Sequence, residues 1–319
     1  MGLLLSFVSA CNEEEPGLVY EAQLNKWYFV TDEHGLVSNY INTIFEDSKG
    51  NVWFGTNRGL SVLSDHDITT FTRANGLLDN NVFAISEDKN GAIWVGTARG
   101  VNIFVDNEWQ YFTFFYQAAV FDIIPLAGEK GMLVGTGGYG VYQFDYTTGK
   151  FSVFDFITDC TSCNTINSLF QASDESVWIA SSDGVRRIRD SFITRFDMDD
   201  GLPGKVATTI TEDSWGNIWV GSVEGRTISK IKGNSISQVS FNNGEEQNFI
   251  FGLEEDNEGT LWVGTVGNGL FRYDGAIMKQ VKGGPRDNRI TALLKDSMGN
   301  IWVGTVDAGV GQYLTNPDR

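Results

Sequence analysis

Histidine is nearly missing from this chain, with two in 319 residues, His34 and His66. Cysteine is scarce too: Cys11 stands alone near the start and Cys160 and Cys163 form one C-x-x-C pair. A zinc site takes four ligands, and these residues are scattered too widely to supply them, so no metal and no cofactor is expected. Positive charge is in short supply, 23 Lys and Arg against 41 Asp and Glu for a net charge of −18. A surface of that sign repels phosphate backbones, whose neutralisation drives nucleic-acid affinity, so nucleic acid is excluded as a partner. No apolar run reaches the about 20 residues a membrane-spanning helix needs. Nucleophile elbows, phosphate loops and metal-ligand motifs are absent as well, and no enzyme is expected. Proline is low at 5 and glycine high at 37, a balance suited to many short strands joined by tight turns.

The chain is built on a period. Trp53, Trp94, Trp178, Trp219, Trp262 and Trp302 follow one another at steps of 41, 84, 41, 43 and 40 residues. The long step holds two repeats, with Leu133 where a tryptophan is due. Repeats of about forty residues that each contain four strands are the mark of a propeller, and the length accommodates seven. In the first unit, Tyr40 to Glu46 alternates as an inner strand and Asp47 to Asn51 forms a turn. Val52 to Thr56, Leu60 to Leu63 and Ile68 to Arg73 supply three further strands. The recurring Asp is expected to accept turn amides, the recurring Gly to supply positive φ, and the recurring Trp to fill the space between blades. The fold class is therefore all-β, a seven-bladed β-propeller of four-stranded antiparallel blades. The last unit lacks its fourth strand, and Trp27 to Thr31 lacks a unit of its own. Pairing that segment beside Val310 to Leu314 would close the ring and remove two sheet edges.

Before the repeats, Leu3 to Ala10 is a short apolar run leading into Val8-Ser9-Ala10-Cys11. This resembles the lipobox of bacterial lipoproteins, which implies a signal peptide over 1–11 and lipidation at Cys11. No Lys or Arg precedes the run, a departure from the pattern that leads to the expectation of a true start upstream of Met1. Asn12-Glu13-Glu14-Glu15-Pro16 resembles the acidic export signal of Bacteroidetes-type lipoproteins and reads equally as a solvated tether over 12–24. The propeller then occupies 25–314 and a short tail 315–319. The implied location is the cell envelope, lipid-anchored to the outer membrane. In such a compartment Cys160 and Cys163 could be a disulfide, a redox pair or half a zinc site. No βαβ pattern surrounds them, and a small loop-stapling disulfide is the expectation.

The strings "INTIFEDSKGNVWFGTNRGLSVL", "TTITEDSWGNIWVGSVEG" and "ITALLKDSMGNIWVGTVDAGVGQY" resemble the two-component regulator propeller repeat. In that family, tandem propellers form the periplasmic sensors of hybrid histidine kinases, and many respond to glycan fragments. The resemblance implies a ligand-binding, sensor-like module. A second propeller, a kinase and a receiver are not seen here, so phosphotransfer is not expected of this polypeptide. Blades three and four drift from the pattern, at Leu133 and where Gly-Thr becomes Ala180-Ser181.

In a propeller, the loops from second to third strand and from fourth to first strand crowd one mouth of the channel, the default binding site. The second-to-third loops carry Arg58, Arg99, Tyr139, Asp183, Arg226, Asn268 and Asp307 at one repeat position, and the incoming loops add Tyr40, Asn81, Lys205, Phe249 and Arg289. Arginine forks suit carboxylates or sulfates and aromatic faces suit sugar rings, so a small-molecule or oligosaccharide ligand, acidic glycans included, is one expected partner. The aromatic run Glu108 to Gln117 suggests a second reading, a protein–protein scaffold docking another envelope protein. A third is an enzyme like the streptogramin-inactivating propeller lyases. Those rely on histidine and metal at the mouth, whereas His34 and His66 lie outside the second-to-third loops.

Overall fold

The computed structural model of the protein describes residues 27–112, 118–155, 164–190, 192–224, 227–241 and 248–315. Cys11, the tether, Cys160, Cys163, Arg226 and the residues after Thr315 lie outside this set. The described strands form seven four-stranded antiparallel sheets, each paired in chain order except the last. Blades 1 to 6 run over 41–71, 82–112, 120–155, 166–196, 207–240 and 249–280. Blade 7 combines Ile290–Lys295, Ile301–Thr305 and Val310–Tyr313 with Trp27–Val30. Trp27 pairs with Tyr313 and Val30 with Val310, so the ring closes by the exchanged strand that the orphan segments imply.

Strand limits differ slightly from the sequence reading. The inner strand of blade 1 is Ile41–Glu46, and its outer strand is Asp67–Phe71. Arg73–Asn75 turns away as a 3₁₀ segment. The Thr72 hydroxyl accepts the Ala74 N–H and Asn75 Oδ1 accepts the Thr72 N–H. Local side-chain bonds of this kind compete with the ladder.

Each recurring tryptophan packs across to the next blade. Trp53 lies with Val82, Ile85, Ile93 and Val95 of blade 2, and Trp302 with Ile41, Ile44 and Phe54 of blade 1. Its indole N–H is satisfied by the recurring aspartate: Trp53 donates to Asp47 at 2.9 Å, Trp219 to Asp213 at 2.8 Å and Trp302 to Asp296 at 2.9 Å. The same carboxylate gathers turn amides, with Asp47 accepting the N–H of Lys49 and of Asn51. Burial by itself would raise the Asp47 carboxyl, but the bonds from Trp53, Asn51 and Lys49 outweigh it and hold it below the usual range. In blade 4, where Ala172 replaces the aspartate, Ser176 accepts from Trp178 and donates to Asp174. A drifted blade thus keeps its buried indole bonded by a two-step relay. Leu133, fully buried with Ile166, Leu169 and Ile179, fills the space that tryptophan occupies elsewhere.

The glycine of the recurring Gly-Thr allows inner strands to approach. A Cβ at Gly55 would lie 2.6 Å from Thr43 Cγ2 and 2.8 Å from Val82 Cγ1. Gly96, Gly135, Gly221, Gly264 and Gly304 likewise face Val120, Ile166, Ile250, Ile290 and Ile41 of the next blade. Blade 4 carries Ala180 here, and the position corresponding to those branched residues is Ala207, with both alanines buried in one cluster. A methyl group gained on one blade is matched by carbons lost on its neighbour, as close packing demands.

Candidate functional site

Every inner strand carries a β-bulge near its start, where the register shifts by one residue: between 41 and 43, 82 and 84, 120 and 122, 166 and 168, 207 and 209, 250 and 252, and 290 and 292. A bulge leaves one residue unpaired and can re-aim its side chain. The residues so placed are Asn42, Phe83, Phe121, Asn167, Thr208, Phe251 and Thr291, and all seven line a channel cavity of about 720 Å³.

These seven divide by chemistry. Asn42 Nδ2 donates to the Val82 carbonyl at 2.8 Å and Asn167 Nδ2 to the Ala207 carbonyl at 2.7 Å. The Thr208 hydroxyl donates to the Ile250 carbonyl and the Thr291 hydroxyl to the Ile41 carbonyl. Each therefore staples its blade to the next one. Phe83, Phe121 and Phe251 have no donor and cannot make this bond, so the equivalent carbonyls of Val120, Ile166 and Ile290 receive no side-chain staple. Phe83 and Phe121 meet edge to face at 5.1 Å, and Phe251 is 42% exposed. An apolar side chain has replaced a structural polar one and kept its surface open to the cavity.

Two carboxyls share this cavity. Asp122 stands where the other blades have Thr43, Ala84, Ser168, Thr209, Gly252 and Ala292. It accepts the Ile123 N–H at 2.8 Å and, across to blade 4, the Leu169 N–H at 2.7 Å. Burial pushes it up to about 6, against the opposing bonds from Leu169, Ile123 and Ser168. Burial also pushes Glu254 up to about 7, with Lys295 opposing and Glu255 adding to the shift. Among the described residues lining the cavity there is no Lys, Arg or His.

The loops form a rim tied to both flanking blades. Ala98 N–H donates to the Asn81 carbonyl, Gly184 N–H to that of Lys205, and Gly309 N–H to that of Asn39. Of the twelve mouth residues expected from the sequence, Tyr40 lines the cavity. Arg58 is exposed on the rim, and Tyr139 and Phe249 are 42% and 39% exposed. Asn81 Oδ1 accepts from Asn42 at 3.0 Å, Asn268 Nδ2 donates to Asn248 at 2.9 Å, and the Lys205 N–H donates to Glu224 at 2.9 Å. Several charges are already answered from within the rim. Arg99 lies 3.3 Å from Asp79, Arg195 pairs with Asp183, and Arg289 bonds both Asp287, at 2.9 Å, and Asp307. Arg226 lies outside the described residues. Of the described rim cations, Arg99 and Arg289 are thus paired with neighbouring carboxylates, while Arg58 is exposed. His34 bonds the Thr31 hydroxyl in its own turn, and His66 sits in a turn at φ 77°, neither lining the cavity. Among the described residues no group of His, Cys, Asp and Glu is arranged to hold a metal.

Sequence reasoning missed Phe83, Phe121, Phe251, Asp122 and Glu254, although a signal was present. Aligned one residue beyond the buried Ile, Val or Ala that begins each bulge, three blades break an Asn/Thr pattern with Phe. Without the bulge that position reads as an ordinary strand residue.

Five segments, 35–58, 76–99, 201–224, 244–267 and 284–307, match the family described as two component regulator propeller. They fall in blades 1, 2, 5, 6 and 7, leaving out the two drifted blades. No curated protein sequence matches the chain significantly. Among solved structures, the extracellular domain of the hybrid two component system BT3049 from B. thetaiotaomicron superposes with a TM-score of 0.77 at 21% identity, over 92% of this chain and 42% of that one. The extracellular domain of BT4673 from the same organism gives 0.75 at 20% identity, over 91% and 40%. Virginiamycin B lyase from Staphylococcus aureus gives 0.73 at 17% identity, over 90% and 97%. The chain therefore spans less than half the length of the two sensor structures and nearly the whole of the lyase. At these identities the likeness is one of fold.

Proposed function

This chain belongs to the two-component regulator propeller repeat family, and from that premise we propose that it is a sensor-like ligand-binding module which takes a small ligand, glycan fragments among the candidates, into the mouth of its channel. The observation that carries the reading is the substitution of three interblade staples by Phe83, Phe121 and Phe251 around one cavity. A fold that makes the polar bond in four blades and gives it up in three has another use for those positions. A cavity of 720 Å³ lies within the roughly 300–1,000 Å³ of small-molecule sites. The likeness to extracellular sensor domains supports an envelope location, with Cys11 as the lipid anchor. The same fold serves a lyase, but His34 and His66 sit away from the cavity, which favours binding over that chemistry.

The test is thermal unfolding of the protein against a panel of neutral, acidic and amino sugars. Ligand at 100 times its Kd stabilises by about 2.7 kcal/mol. The expected result is an upward shift with at least one ligand, abolished by combined Phe83→Ala, Phe121→Ala and Phe251→Ala and retained in Arg58→Ala with Arg99→Ala. A shift that survives the triple substitution moves the site off the channel. A second reading, the docking scaffold, is favoured by Trp215, which is 84% exposed on a hairpin at the face opposite the mouth. Silence across the whole panel would favour it.

A further inference from the structure

We infer that the ligand of the channel carries a protonated amine on an apolar or sugar body, an inference that rests on the channel being the binding site. The argument is one of charge and shape. Asp122 and Glu254 line one cavity, and no described lining residue is a cation. Asp122 is the sharper case. The other six blades place Thr, Ala, Ser or Gly at its position, so the strand does not require a carboxylate there. Its oxygens accept the backbone N–H groups of Ile123 and Leu169 and a bond from the Ser168 side chain, three donors against the four acceptor positions of a carboxylate, which leaves one position open.

A carboxylate removed from bulk water without a countercharge is costly, and a cation entering the cavity relieves that cost. The rest of the lining suits the same guest. Phe121 precedes Asp122 and meets Phe83 edge to face at 5.1 Å. Aromatic faces attract ammonium groups within about 6 Å of the ring centroid. Two rim arginines that would recruit an anion are engaged, Arg99 with Asp79 and Arg289 with Asp287 and Asp307, while Arg58 is exposed. An anionic ligand would meet two carboxyls in the channel and no cation among the described residues that line it.

The experiment compares matched trios that differ in charge alone: benzylamine, benzyl alcohol and benzoate, and glucosamine, glucose and glucuronate. Binding to the full chain is read by titration calorimetry at neutral pH and about 0.15 M salt. The amine is expected to bind at least about tenfold more tightly than its neutral partner and the anion not at all. Asp122→Asn should reduce that preference to about unity while leaving the circular dichroism spectrum unchanged. Should Asp122→Asn disturb folding, Glu254→Gln provides the second reading, expected to diminish the same preference in part. Equal binding of amine and neutral partners, with both lost in Phe121→Ala, would overturn the amine inference and leave the channel site standing. Tight binding of the anion would overturn it as well. Binding that is indifferent to Phe121→Ala would remove the channel site and the inference together.

Discussion

At the scale of single residues, the molecule distinguishes carboxylates that hold the blades from carboxylates that face the channel, and it does so through hydrogen bonds. Asp213, like Asp47, would be raised by burial, but bonds from Asn217 and Trp219 with help from Lys230 bring it below the ordinary range. Such a group stabilises the fold above its unfolded pKa, and that contribution is lost as the pH falls through its folded value. Glu254 lies on the other side of the balance. Its pKa rises from 4.5 to about 7 because burial outweighs Lys295. Between those values the folded state holds more protons than the unfolded one, so stability falls as the pH rises through that window and the penalty is complete above about 7. Glu254→Gln should therefore melt at a higher temperature than the parent at pH 8, with the difference vanishing near pH 4.5. A difference independent of pH in thermal scans would contradict this account.

The repeated element is the bulged inner strand, and its seven copies form an internal mutation series. Thr291→Ala removes a staple across the closure of the ring, from blade 7 to the Ile41 carbonyl of blade 1. The expected cost is about 1 kcal/mol by urea unfolding, the usual net worth of an intramolecular hydrogen bond. The reverse change, Phe251→Thr, places a hydroxyl where it can reach the Ile290 carbonyl. It should stabilise by roughly 0.5–1.5 kcal/mol while weakening ligand binding. A destabilised Phe251→Thr would mean that the phenyl ring holds the blades rather than the ligand. This opposition of stability and function separates the three phenylalanines from the four polar residues more sharply than either measurement alone. A further set of contacts runs around the opposite end. Ser48 bonds Glu87, Ser173 bonds Glu212, Ser214 bonds Glu255 and Ser297 bonds Glu46. Each joins the turn of one blade to the inner strand of the next. At the junction of blades 6 and 7 Asn257 and Lys295 replace the serine and the glutamate together.

For the whole molecule the decisive feature is closure. Trp27 packs against Tyr313 at 5.2 Å and against Trp262 of blade 6 at 6.5 Å, so the first strand seals both its own blade and the neighbouring groove. Removing residues 27–30 would leave blade 7 with three strands and an open edge beside Val310–Tyr313. Unpaired edges template association. The truncated protein is expected to lose its single cooperative thermal transition and to elute as oligomers in size-exclusion chromatography with light scattering. A monomer melting like the parent would show that the ring does not depend on the exchanged strand. The channel cavity exists because seven inner strands meet, and a partial ring would not contain it.

The sequence by itself determined the repeat, the number of blades, the closing strand and the roles of Asp, Gly and Trp within each unit. These are local patterns, repeated often enough that periodicity exposes them. It also showed that blades three and four drift, without showing that Ala180 is accommodated by Ala207 or that Ser176 replaces an aspartate's bond. Only the tertiary structure decided those matters, because the partners sit on adjacent strands or adjacent blades and meet through register. The candidate site divides in the same way. The rim residues are proposed from loop positions, on the ground that loops of equal rank converge on one mouth. Which rim charges are already paired follows from loop geometry within a unit, as for Arg99 with Asp79 and Arg289 with Asp287, whereas the staple from Thr291 to the Ile41 carbonyl joins residues 250 positions apart. No pattern within one repeat encodes such contacts, and the closed ring of seven inner strands creates them.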